Sequence, residues 1–254
     1  MGFHTGLVSV SFRPRTVEEI LEASRAAGLE WIEWGSDVHV PAGGEEKARF
    51  VAQATAAAGL RSEAYGSYFR IGVTPVAEFV AYRDTALWLG ARVIRVWGGN
   101  KDSEALSGED WDRLVADGRA IAEMAAQSGL TVTLECHGGT VTNRWESAME
   151  YLRRTSHPAL RMYWQPNQFR TPEYNREAAE KLAPWVENLH VFSWEASGRH
   201  PLAWGREDWR QYLEIFRPQA RKREMGLLLE FMHDDRLESL AETADELHRW
   251  VAAL

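Results

Sequence analysis

Short apolar runs alternate with amphipathic stretches along the whole chain. Eight runs read as strands: 7–12, 31–34, 61–65, 92–97, 131–135, 160–164, 188–194 and 226–231. Between them apolar residues recur at helical spacing. Val17, Ile20, Leu21, Ser24 and Ala27 share one face, as do Trp111, Leu114, Val115, Gly118 and Ile121, and later Leu237, Leu240, Ala241, Ala244 and Leu247. Thr16 with Glu19 forms a capping box, and Thr74-Pro75 and Thr171-Pro172 read as cap-plus-proline helix starts. Gly28, Gly59, Gly90, Gly129 and Gly226 fall between a helix and the next strand, where a left-handed residue is wanted.

Eight βα units with no linker or low-complexity tract predict one (β/α)8 TIM-barrel domain over residues 1–254. The rival is a doubly wound open sheet. It lacks its signature here, because SVSFRPRT after the first strand is no glycine-rich phosphate loop.

In such barrels chemistry gathers at the C-terminal ends of the strands. Three glutamates, Glu33, Glu135 and Glu230, lie in or at the end of apolar strands, where an ionised carboxylate needs a cation or donors. Structural pairing, such as Glu33 with Arg13 or Arg95, is the plain alternative. Three carboxylates converging on one barrel mouth favour a functional site. His39 in SDVHVP should overhang the mouth, and His137 leaves its strand beside Glu135. His190 either points inward as a ligand or is a satisfied core histidine, and His233 follows Glu230. Twelve tryptophans include Trp34, Trp97, Trp164 and Trp194 near strand ends, where an indole suits either core packing or the C–H face of a sugar.

Composition changes the picture mainly by exclusion. A net charge of −8 opposes a nucleic-acid or anionic-membrane partner, and no apolar run reaches membrane-spanning length. The single cysteine, Cys136, rules out an intrachain disulfide and fits a reducing compartment, so a cytoplasmic location is expected.

The segments EWGSDVHVP, YGSYFRIG, VIRVWGGNK, TLECHGGTVT, YWQPN, LHVFSW and LLLEF carry a likeness over essentially the whole chain. The sequence resembles the sugar phosphate isomerase/epimerase group of the xylose-isomerase-like barrels. The resemblance implies a divalent metal (Mn2+, Mg2+ or Co2+) held by a Glu, an Asp, a His and a Glu that end strands five to eight. Glu135 and Glu230 match the glutamates; Gln165 stands at the Asp position, with Gln168 where relatives carry a histidine. His190 is the strand-seven candidate, with Phe192 and Ser193 as alternatives in a shifted register. Gln165 removes one negative charge yet keeps an amide oxygen that can ligate, so affinity should fall.

The expected activity is isomerisation or epimerisation of a carbohydrate or polyol. Glu135 and Glu230 would exchange the proton while a metal or Arg95 polarises the carbonyl. Glu33, His39, Tyr68, Trp97, His137, Gln168, Trp194 and Arg199 would contact substrate. A lyase or dehydratase on the same scaffold, and a silent sugar-binding protein with a degenerate metal site, are the competing expectations. Homo-oligomers are also implied.

Overall fold

The computed structural model describes residues 2–254. Eight parallel strands close into a barrel: β1 (Gly2–Val8), β2 (Trp31–Gly35), β3 (Arg61–Ile71), β4 (Val93–Gly98), β5 (Thr131–Glu135), β6 (Leu160–Trp164), β7 (Val186–Val191) and, after the hairpin β8 (Trp194–Glu195) and β9 (Gly198–Arg199), β10 (Glu224–Leu229). Pairing of β1 with both β2 and β10 closes the ring and removes the open-sheet alternative. Outside it stand α1 (Val17–Ala26), α2 (Glu45–Ala57), α3 (Phe79–Leu89), α4 (Gly108–Ala126), α5 (Trp145–Thr155), α6 (Pro172–Leu182), α7 (Arg206–Ala220) and α8 (Leu240–Ala252). The strands are buried on both faces, which explains their nearly continuous apolar runs. No helix among the described residues is long and apolar enough to cross a membrane.

Two layers of core hold the barrel. Val8, Val10, Trp31, Ala64, Val93, Tyr163 and Leu228 fill its interior, and a larger layer lies between strands and helices. Each fully buried large apolar side chain contributes about 1.5–3 kcal/mol against chain entropy.

Local signals succeed where the backbone alone decides them. Thr16 and Glu19 complete their capping box, and Thr171 accepts from the Tyr174 N–H with Pro172 opening α6. Gly28, Gly59, Gly90 and Gly129 all have φ between 68° and 76°. The expectation for Gly226 fails: it lies inside β10, where a Cβ would stand 2.9 Å from Asn188 Oδ1. Close packing requires that glycine, not a turn. Thr74 accepts from the Arg70 N–H instead of capping a helix, and a 3-10 turn at Val76–Glu78 precedes α3.

The first strand also lies earlier than its apolar run suggests. Its GFHTGLV carries small and polar residues because His4 stacks on Trp31 at 4.4 Å, and because Gly6 passes so near the Trp31 carbonyl that a Cβ would sit 2.5 Å from its oxygen. Ser9–Phe12, expected as strand, is a buried 3-10 turn.

Candidate active site at the barrel mouth

Arg95 on β4 organises the mouth. Its Nε donates to Glu33 Oε1 at 2.8 Å and its Nη1 to Glu135 Oε2 at 2.7 Å, with all three side chains buried. Gly66 on β3 makes room for this pair: a Cβ there would stand 2.6 Å from Glu33 Oε1 and 2.9 Å from Arg95 Nη2. Trp97 Nε1 adds a second donor to Glu135 Oε2, at 2.5 Å.

The strand-seven register places His190 inward and completely buried. Its Nε2 lies 3.3 Å from Glu33 Oε2. Its Nδ1 lies 2.9 Å from Gln165 Oε1, 3.4 Å from Glu230 Oε2 and 3.6 Å from Glu135 Oε1. One nitrogen therefore faces three oxygens delivered by β5, β10 and the end of β6.

Charge distribution follows from this crowding. Burial pushes the Glu135 carboxyl up, but Arg95 and then His190 outweigh it and hold the group well below the usual range. Glu230 has no arginine bonded to it; burial raises it, His190 and more weakly Arg95 pull it back, and Glu135 pushes it up again, so it stays above the usual carboxylate range. Burial alone would lower His190, yet Glu230 and Glu33 overcome that and raise it to about 10. Two like carboxylates thus sit in unlike environments, one with a fixed cation and one without.

Above these groups opens a cavity of about 480 Å³, within the roughly 300–1,000 Å³ of ligand-sized sites. Glu135, Gln165 and Glu230 stand on its floor; Tyr68, Arg95, Trp97, His137, Gln168 and Trp194 also line it. The Tyr68 hydroxyl accepts from Arg13 Nη2 at 2.7 Å and donates to Asp37 Oδ2 at 3.1 Å, so the ring is fixed. His137 tilts against Trp97 at 5.2 Å.

Three expected substrate contacts lie elsewhere. Glu33 is sealed beneath the cavity, where it orients Arg95 and His190. His39 is buried off the cavity, its Nδ1 3.0 Å from Ser9 Oγ and its Nε2 3.2 Å from the Arg15 carbonyl; the loop after β2 folds down instead of overhanging the mouth. Arg199 donates to the Met232 carbonyl, pairs with Asp235, and packs its guanidinium against Trp194 and Phe231 from behind. Its hairpin turns it away from the cavity.

The wall also contains residues that periodicity could not single out. Phe231 lines the cavity in a left-handed conformation (φ 52°), its N–H donated to Ser11 Oγ. Such strain in a bulky residue needs the surrounding structure to hold it. Phe192, after the neighbouring strand β7, also lines it, with Trp194 between the two rings, and Phe169 lines it from the loop after β6. Only the arrangement of loops brings these aromatics together.

The donor set suits a divalent cation. Glu135, His190 and Glu230 offer ligand atoms within 4.8 Å of one another, and Gln165 Oε1 already meets the same imidazole nitrogen. One imidazole, two carboxylates and an amide oxygen form a mixed N/O set appropriate to Mn2+, Mg2+ or Co2+.

Known proteins with this architecture agree on the fold. A curated relative, the 3-dehydroshikimate dehydratase of Bacillus anthracis, is 28% identical over 111 residues, covering 41% of this chain and only 38% of that protein. The crystal structure of the probable 3-DHS dehydratase AsbF from Bacillus anthracis matches with a TM-score of 0.78 at 19% identity, over 96% of this chain and 98% of that one. A D-allulose 3-epimerase from Methylomonas sp., in complex with D-allulose, matches with a TM-score of 0.73 at 14% identity, over 98% and 97% of the two chains. Residues 21–254 match the xylose isomerase-like TIM barrel family, and the chain belongs to it.

Proposed function

We propose that the protein is a carbohydrate or polyol isomerase or epimerase, moving a proton at a carbon beside a carbonyl, with a divalent metal held by Glu135, Gln165, His190 and Glu230. The observation that carries this reading is the pair Glu135 and Glu230, both reaching one imidazole nitrogen at the floor of a ligand-sized cavity. A bound divalent ion would polarise the substrate carbonyl. Proton transfer then needs a base and an acid of different strength, and the unlike environments of the two carboxylates supply that difference. Arg95 holds Glu135 ionised and in place. Tyr68, His137 and Gln168 offer polar groups to substrate hydroxyls, and Trp97 and Trp194 offer flat faces to its C–H surface.

The test is solvent deuterium uptake into carbon-bound positions of D-fructose and other ketohexoses, followed by NMR with Mn2+ supplied. Uptake should occur in the wild type and drop at least about 100-fold in Glu135→Gln and Glu230→Gln, as for loss of a general acid or base. Absence of uptake across the ketoses overturns the reading. The partial match to a dehydratase favours a second one, in which the same proton abstraction ends in loss of a β-leaving group. A product absorbing in the near ultraviolet identifies that outcome.

A further inference from the structure

The cavity over Glu135 and Glu230 has a neighbour. A second cavity of about 680 Å³ opens beyond the loop after β6 and shares Gln168, Phe169, Phe192 and Trp194 with the first as a common wall. It runs between that loop and the β8–β9 hairpin. Each space is ligand-sized by itself. A single sugar ring placed over the two glutamates leaves the outer one empty.

The outer cavity contains an indole that packing does not explain. Trp204, in the turn Leu202–Gly205, is 65% exposed. It is nevertheless fixed: one face stacks on His200 at 4.7 Å and 15°, and its Nε1 donates to Glu195 Oε1 at 3.2 Å. The other face is free. Phe169, 73% exposed, stands on the shared wall. An exposed indole held as Trp204 is offers stacking surface at little entropic cost.

The charged groups of this cavity are mostly acidic. Asp208, in the first turn of α7, lines it with no hydrogen bond or ion pair among the described residues, and Glu195 lies near it. Burial and then Glu195 push the Asp208 carboxyl up. Two carboxylates against one lining arginine, Arg170, disfavour a phosphate or carboxylate ligand and suit neutral hydroxyls.

We propose that the outer cavity is a subsite for a second, neutral sugar ring, stacked on the free face of Trp204 and hydrogen-bonded to Asp208, so that the substrate class is a ketose-containing disaccharide or glycoside. This rests on the carbohydrate reading of the inner cavity. The ketose unit lies over Glu135 and Glu230, the linkage passes Gln168 and Phe169, and the outer ring reaches Trp204.

Calorimetry on the Mn2+-loaded protein, with isomaltulose and turanose compared against D-fructose, tests it. At least one disaccharide should bind about tenfold more tightly than fructose. Trp204→Ala and Asp208→Asn should each abolish that advantage and leave fructose affinity unchanged. Fructose binding with no disaccharide advantage, or an advantage that survives both substitutions, overturns the subsite and leaves the inner-site reading standing. A change of oligomeric state in Trp204→Ala without any change in disaccharide affinity also overturns it, in favour of a face buried between copies. If neither fructose nor the disaccharides bind, the carbohydrate reading falls and the subsite with it.

Discussion

His190 meets Gln165 across 2.9 Å, imidazole Nδ1 to amide Oε1, at the point where the oxygens of Glu135 and Glu230 also converge. Because the amide oxygen can only accept, Nδ1 carries the proton in this arrangement. A metal held here would take that proton's place, and Gln165 would supply it an oxygen without a charge.

Gln165→Asp should therefore tighten divalent metal binding. One added carboxylate facing the same nitrogen is expected to strengthen Mn2+ affinity about tenfold, about 1.4 kcal/mol. Titration calorimetry on chelator-stripped protein checks this, and equal or weaker affinity in the variant counts against Gln165 as a ligand.

Metal affinity should also rise with pH. Burial raises Glu230, and the surrounding carboxylates raise His190 against the effect of burial, so both hold protons more tightly than usual before metal enters. Binding must expel those protons, and expulsion is easier as pH increases. Apparent Mn2+ affinity measured from pH 5.5 to 8.5 is expected to climb, with proton release visible as a buffer-dependent heat. A flat profile contradicts the placement.

Arg95→Met should destabilise the fold as well as the site. It leaves Glu33 and Glu135 buried without their arginine, with only His190 to offset two charges, a loss of about 3–5 kcal/mol for a broken buried pair. Denaturant unfolding measures it. Adding Glu33→Gln should recover part of the loss, since one orphaned charge is then gone; a strictly additive double variant argues that the two residues do not interact.

A pH-dependent share of stability lies far from the mouth. Glu246 on α8 is almost fully buried and receives bonds from Arg206, Arg249 and Trp250 Nε1. Arg206 chiefly, against burial, pulls its carboxyl down to about 2 from an ordinary value near 4.5. A depressed folded pKa means the stabilisation is full above the unfolded value and disappears as pH falls from about 4.5 toward 2. The difference in unfolding free energy between wild type and Glu246→Gln should shrink over that window. Both arginines are largely solvent-exposed, so the contribution is modest and sensitive to salt.

The alternation of strand and helix, the caps of α1 and α6 and four of the five expected left-handed glycines were readable along the chain, because each depends on residues within a few positions of one another; Gly226 and Thr74 were not, since contacts with Asn188 and Arg70 decide them. Glu135 and Glu230 were readable too, as carboxylates that no apolar strand end tolerates without a partner. The inward register of His190 was not, since a one-residue slip reverses every side chain and only pairing with β10 and β6 sets it. Nor was the removal of His39, Glu33 and Arg199 from the cavity, which depends on how far each loop folds over the mouth. The second cavity belongs wholly to the tertiary structure. Phe169, Trp204 and Asp208 come from three segments whose own periodicity says nothing about a common face, and only the closed barrel brings those loops side by side.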